Sequence, residues 1–173
     1  MRLFIAINFD DAAVAEMLAV QDRLRAYGSG NFTREENLHL TLAFLGEVDA
    51  ADLDEVKACM DEITMRRLRL DFSRVGCFRR DSELWWIGAE ENKVLSGIQR
   101  RLVNALKDAG LPVDDKRFKP HITLAREMNV GKLSTEDLLP EPFSTEVDAI
   151  SLMLSERING KLTYTEIYRV GKE

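Results

Sequence analysis

Cysteine is scarce in this sequence, and long apolar runs are missing. Only Cys59 and Cys77 occur among 173 residues, too few for a disulfide framework, so they read as free, partly buried thiols of a reducing compartment. No stretch approaches the roughly 20 apolar residues that a membrane-spanning helix needs. The opening Met1-Arg2-Leu3-Phe4-Ile5-Ala6-Ile7-Asn8 is too short in its apolar part for a signal-peptide core and reads as a first strand. A cytoplasmic chain with no membrane partner is expected.

A broad basic face is missing too. The formal net charge of −6 argues against a protein that coats nucleic acid by neutralising many phosphates. Positive charge comes in short clusters: Arg66-Arg67 with Arg69, Arg79-Arg80, Arg100-Arg101, and Lys116-Arg117 with Lys119. Any of these suits a confined anion site inside an acidic shell. No glycine-rich phosphate loop or nucleotide-binding lysine motif is present.

Hydrophobic residues at 45% and charged residues at 31% are ordinary for a globular chain, and 173 residues suffice for one compact unit spanning 1–173. Strand-like runs occupy 2–8, 38–48, 68–78, 84–89, 120–126, 147–156 and 161–170. A helix capped by Asp10 and Asp11 runs to about Tyr27, where Gly28-Ser29-Gly30 stops it. A second begins near Asp49, with Leu53, Val56, Met60 and Ile63 on one face. A third spans 91–109, with Leu95, Ile98, Leu102 and Leu106 as its stripe and Gly110 at its end. Residues 127–143, with Gly131, Pro140 and Pro142, read as a mobile loop. The order looks doubled, which predicts an α+β fold: two pseudo-symmetric lobes with antiparallel sheets lining a central cleft and helices on the outer faces.

Histidine is scarce and informative. The chain has two, and both open the same tetrapeptide: His39-Leu40-Thr41-Leu42 and His121-Ile122-Thr123-Leu124. With average composition, a second histidine matching both the Thr and the Leu by chance is on the order of one in a hundred. In a strand, the His and Thr of each motif share one face and the apolar residues take the other. Each motif then presents an imidazole and a hydroxyl roughly 7 Å apart, two residues at about 3.3 Å rise each. The hydroxyl can donate to a phosphate oxygen while the imidazole exchanges a proton with an entering or leaving oxygen. Two such strands supply imidazoles on both sides of a phosphorus, as in-line displacement requires. Imidazole serves as acid or base near neutral pH because its unperturbed pKa is about 6.5. Two histidines without Cys partners or nearby carboxylate ligands make a poor metal set, so no metal is expected.

At these residues the chain resembles the two-histidine phosphoesterases, and within them the RNA 2′,3′-cyclic phosphodiesterases also described as 2′-5′ RNA ligases. The likeness takes in Arg2-Leu3-Phe4-Ile5-Ala6-Ile7, the block from Asn37 to Val48, Gly76-Cys77-Phe78, Leu84-Trp85, and Lys119-Pro120-His121-Ile122-Thr123-Leu124-Ala125-Arg126. It implies a bilobal fold, no cofactor, and a 2′-phosphomonoester as product. It also implies that His39 protonates the leaving ribose oxygen, His121 activates water, and Thr41 and Thr123 hold phosphate oxygens. Arg126 would add positive charge, and Phe44, Leu42 and Leu124 would border the substrate. Trp85, Trp86 and Tyr164 are further stacking candidates for a base. The expected partner is an RNA end bearing a 2′,3′-cyclic phosphate, tRNA-like or oligoribonucleotide, acted on by a monomer; 2′-5′ ligation would be a reversible transesterification driven by mass action. Two rivals are a related diesterase of a small cyclic nucleotide or 2′-5′ oligonucleotide, and a non-catalytic RNA-end binding module.

Overall fold

The computed structural model describes residues 1–171. Its first strand, β1 (Arg2–Ile7), is buried from Leu3 onward because both of its faces are covered. Leu3, Ile5 and Ile7 enter the main core, whereas Phe4 and Ala6 form a smaller cluster with Met153. Helix α1 (Asp11–Arg25) starts at Asp10, whose carboxylate accepts the Ala13 N–H at 2.9 Å and so satisfies a donor that the first turn leaves unpaired. The chain continues through β2 (Gly28–Phe32), β3 (Leu40–Glu47), α2 (Leu53–Asp61), β4 (Leu68–Arg79) and β5 (Glu83–Ala89). It ends with α3 (Lys93–Asp108), β6 (His121–Val130), β7 (Phe143–Val147), β8 (Ala149–Ile158) and β9 (Lys161–Gly171).

The strands pair antiparallel in the order β7-β4-β5-β6-β3-β1-β8-β9, with β2 added on β6. Four strands of that path lie on each side of the β3–β6 seam, which Leu40 and Ile122 join. These halves are the two lobes of the α+β fold anticipated above. Helix α1 lies against β2, β6 and β7, while α2 and α3 pack on each other and on β9 and β3. The helices therefore cover one face of the sheet. They leave the other as a cleft across the seam. No helix among the described residues is long and apolar enough to cross a membrane.

Three strands differ from the sequence expectation. The segment Gly28–Phe32 was expected to be only a helix stop, yet it forms β2. Its glycines allow close approach: a Cβ at Gly28 would sit 2.3 Å from the Asn129 carbonyl oxygen. Strand β6 runs on to Val130, which shortens the expected loop at its front edge, and Phe143–Val147 forms β7 where no strand is expected before 147. Helix α2 begins later than expected, after a 3-10 turn at Ala50–Asp52.

Candidate active site

Leu40 and Ile122 are fully buried in the main core. Antiparallel pairing about them sets His39 across from Thr123 and Thr41 across from His121, all four on the opposite face. That face is the cleft, where all four side chains are half-buried. Each motif thus contributes its imidazole beside the other motif's hydroxyl.

Both imidazoles are held in the same way. The His39 Nδ1 lies 2.6 Å from the Asn37 carbonyl oxygen, and the His121 Nδ1 lies 2.5 Å from that of Lys119. A carbonyl only accepts, so each ring carries its proton on Nδ1 when neutral and keeps Nε2 as its working atom. The His39 Nε2 meets the Thr41 hydroxyl at 2.9 Å, closer together than the extended-strand spacing suggested. Asn37 is itself fixed, its amide donating to the Leu162 carbonyl at 2.9 Å, and that bond ties the first motif to β9.

Aromatic rings bracket each histidine. Phe4 and Tyr164 stand 4.9 and 5.3 Å from the His39 ring, and Phe78 and Trp86 stand 5.5 and 6.5 Å from that of His121. Burial among them holds both imidazole pKa values below the usual 6.5, since it penalises the charged form. The Asn37 and Lys119 carbonyls oppose that shift, while the Arg126 guanidinium lowers both further. The Tyr164 hydroxyl is pushed up by burial, and the charges of Arg126 and Arg2 act against the rise. Arg126 is therefore in electrostatic reach of both histidines and of Tyr164.

Phe44 and Arg126 reach this face through matching bulges. The β1–β3 register slips between Ala43 and Thr41, and the β5–β6 register slips between Ala125 and Thr123. One extra residue in each strand reverses the alternation. Ala43 and Ala125 are buried, while Phe44 and Arg126 emerge beside the threonines.

Three expected contacts are corrected by burial. Leu42 and Leu124 are 3% and 0% exposed in the core, on the helix side of their strands, so they anchor the motifs from within. Trp85 is likewise core, at 2% exposure. Trp86 and Tyr164 do line the cleft. Phe4, Phe78 and the carbonyls of Asn37 and Lys119 were not singled out as site groups. The last two act through main-chain oxygen, which no side-chain pattern reveals. Among the described residues, no group of three or more His, Cys, Asp or Glu is arranged to hold a metal ion.

Residues 9–159, which include both motifs, match the 2′-5′ RNA ligase superfamily. The RNA 2′,3′-cyclic phosphodiesterase of Archaeoglobus fulgidus is 32% identical over 128 residues, covering 73% of this chain and 72% of that protein. The enzyme of the same name from Thermotoga maritima is 33% identical over 135 residues, covering 73% and 70%. Among solved structures, E. coli LigT in its apo form superposes with a TM-score of 0.82 at 26% identity, over 98% of this chain and 96% of that one. LigT has also been crystallised with 3′-AMP.

Proposed function

Since the chain belongs to the 2′-5′ RNA ligase superfamily, we propose that it opens RNA 2′,3′-cyclic phosphate ends to 2′-phosphomonoesters, with His39 as acid and His121 as base and no metal. The supporting observation is the pair of imidazoles, each pinned at Nδ1 by the carbonyl two residues upstream, which share one cleft face across the Leu40–Ile122 seam.

The step balances as follows. Neutral His121 takes a proton through Nε2 from a water whose oxygen forms a new bond to phosphorus. The bond from phosphorus to the ribose 3′ oxygen breaks on the far side, and the imidazolium of His39 gives that oxygen its Nε2 proton. The product carries a 2′-phosphate and a free 3′-hydroxyl, and solvent resets both rings. Thr41 and Thr123 donate to the non-bridging oxygens, and Arg126 opposes the charge that builds on them.

Binding of the anion prepares the acid. In the free protein, burial and Arg126 hold the His39 pKa below its usual 6.5 and so favour the neutral ring. A bound phosphodiester carries one negative charge, which offsets the field of Arg126 and favours the imidazolium. Because each lobe supplies one histidine, the catalytic unit is the chain 1–173 as a whole, acting as a monomer. Ligation is the same ring opening with a 5′-hydroxyl in place of water: its oxygen bonds to phosphorus as the ribose 3′ oxygen leaves, giving a 2′-5′ diester.

Incubation with an oligoribonucleotide ending in a 2′,3′-cyclic phosphate, with chelator present, tests this reading by phosphorus NMR of the product. A 2′-phosphomonoester is expected. A 3′-phosphomonoester, or dependence on an added divalent ion, would overturn it.

A further inference from the structure

Beyond the histidines, the β4–β5 side of the cleft carries rings and cations in alternation. Register pairs Arg74 with Gly88, Gly76 with Trp86 and Phe78 with Leu84, and Trp86 and Gly88 in turn lie opposite Thr123 and His121 of β6. These positions form one surface continuous with the second motif. None of the six on β4 and β5 carries a carboxylate.

Trp86 lies across the two glycines. A Cβ added at Gly76 would meet its indole at 2.3 Å, and one at Gly88 would meet it at 2.8 Å, so both positions are kept bare beneath a flat ring. The indole N–H is buried there without a hydrogen-bond partner. Filling the same space with Leu or Phe would strand no donor, and that cost points to a use for the wide π surface. The Arg74 guanidinium lies 5.6 Å from the Trp86 ring, and the Lys119 ammonium lies 5.4 Å from that of Phe78. Phe78 stands 5.2 Å from Trp86 between them. Among the described residues, neither cation forms an ion pair. Both stay available to phosphate in a chain of net charge −6.

We propose that the stripe Arg74–Trp86–Phe78–Lys119 binds the single-stranded RNA that precedes the cyclic end. Bases stack on Trp86 and Phe78, and Arg74 and Lys119 meet the phosphates between them. Rings that accept any base, flanked by cations, are what a strand-tracking surface needs. The inference rests on the reaction proposed above and makes the substrate an oligoribonucleotide instead of a free cyclic mononucleotide. It also explains how an acidic protein engages RNA: a stripe free of carboxylates brings two cations beside the reacting phosphate.

The test compares a nucleoside 2′,3′-cyclic phosphate with a short oligoribonucleotide of the same terminal residue, using wild type, Arg74→Ala and Trp86→Ala. Wild type should turn over the oligonucleotide with a lower KM. Each substitution should raise that KM by roughly tenfold or more, and Arg74→Ala should leave kinetics on the mononucleotide within about twofold, which also shows that this variant is folded. Equal KM values for both substrates in wild type, or no change in Arg74→Ala, overturn the stripe while the reaction stands. If wild type turns over neither substrate, the parent reading fails. Fluorescence anisotropy of a labelled 3′-hydroxyl oligoribonucleotide then decides the stripe: weaker binding by Arg74→Ala supports it, and unchanged binding overturns it.

Discussion

Phe44 and Arg126 occupy equivalent places, each five residues beyond a motif histidine and each turned onto the cleft by a bulge at a Leu-Ala step. The repeat is thus a hexapeptide device, His-x-Thr-Leu-Ala followed by one variable residue. In one lobe that residue supplies a ring and in the other a guanidinium. In the proposed reaction this symmetry serves the two proton carriers and is broken where the phosphate would need a positive charge on one side.

The pH dependence follows from the two lowered imidazoles. His39 has to be protonated and His121 neutral, and the optimum of kcat/KM lies midway between their free-protein pKa values. Burial holds both below 6.5, so the kcat/KM optimum is expected on the acid side of that value. The diester stays anionic throughout and adds no titration of its own. Bound phosphate favours the imidazolium, so the optimum of kcat should lie at higher pH than that of kcat/KM. Steady-state profiles measure both, and a kcat/KM optimum above pH 7 would count against the assignment.

Leu42 and Leu124 anchor the motifs from the core side. Leu124→Ala should cost about 2–5 kcal/mol of stability, read by urea denaturation. KM for a cyclic-phosphate substrate should stay close to wild type at a temperature where the variant is folded. A stable variant with a large rise in KM would return Leu124 to the substrate.

Gly28 pairs with Val130 where β2 meets β6, and a side chain there runs into the Asn129 carbonyl oxygen at 2.3 Å. Backbone cannot move aside as a flexible side chain can. Gly28→Ala should therefore destabilise by about 1–3 kcal/mol, whereas Gly131→Ala, which meets nothing within 4 Å, should change little. Thermal unfolding of the two variants checks the contrast.

The sequence made the motifs legible because a strand's alternation is a strong constraint: His and Thr on one face require Leu and Ile on the other, and those residues are buried. The helices were readable from their stripes, as Leu95, Ile98, Leu102 and Leu106 along α3 confirm. Strand β2 was hidden because its Gly-Ser-Gly-Asn-Phe sequence has turn chemistry, while its glycines serve close pairing. The bulges were hidden for another reason. Strict alternation places Phe44 with Leu42 and Arg126 with Leu124, and only the register of the neighbouring strands shows the slip. Alternation by itself puts Leu42 and Leu124 on the face opposite the histidines, and both are buried in the core; only the family resemblance pointed them toward a substrate.

The division of labour between the histidines is tested most directly by changing the leaving group. A nucleoside 2′-(p-nitrophenyl phosphate) expels nitrophenolate, which departs without a proton, whereas a cyclic phosphate expels a ribose alkoxide, which needs one. On the cyclic phosphate, His39→Ala and His121→Ala should each lose about 10²–10⁴ in kcat. On the nitrophenyl ester, His39→Ala should recover most of its rate and His121→Ala should not. Recovery by His121→Ala instead would reverse the acid and base, and full activity of either variant on the cyclic phosphate would contradict the two-histidine mechanism.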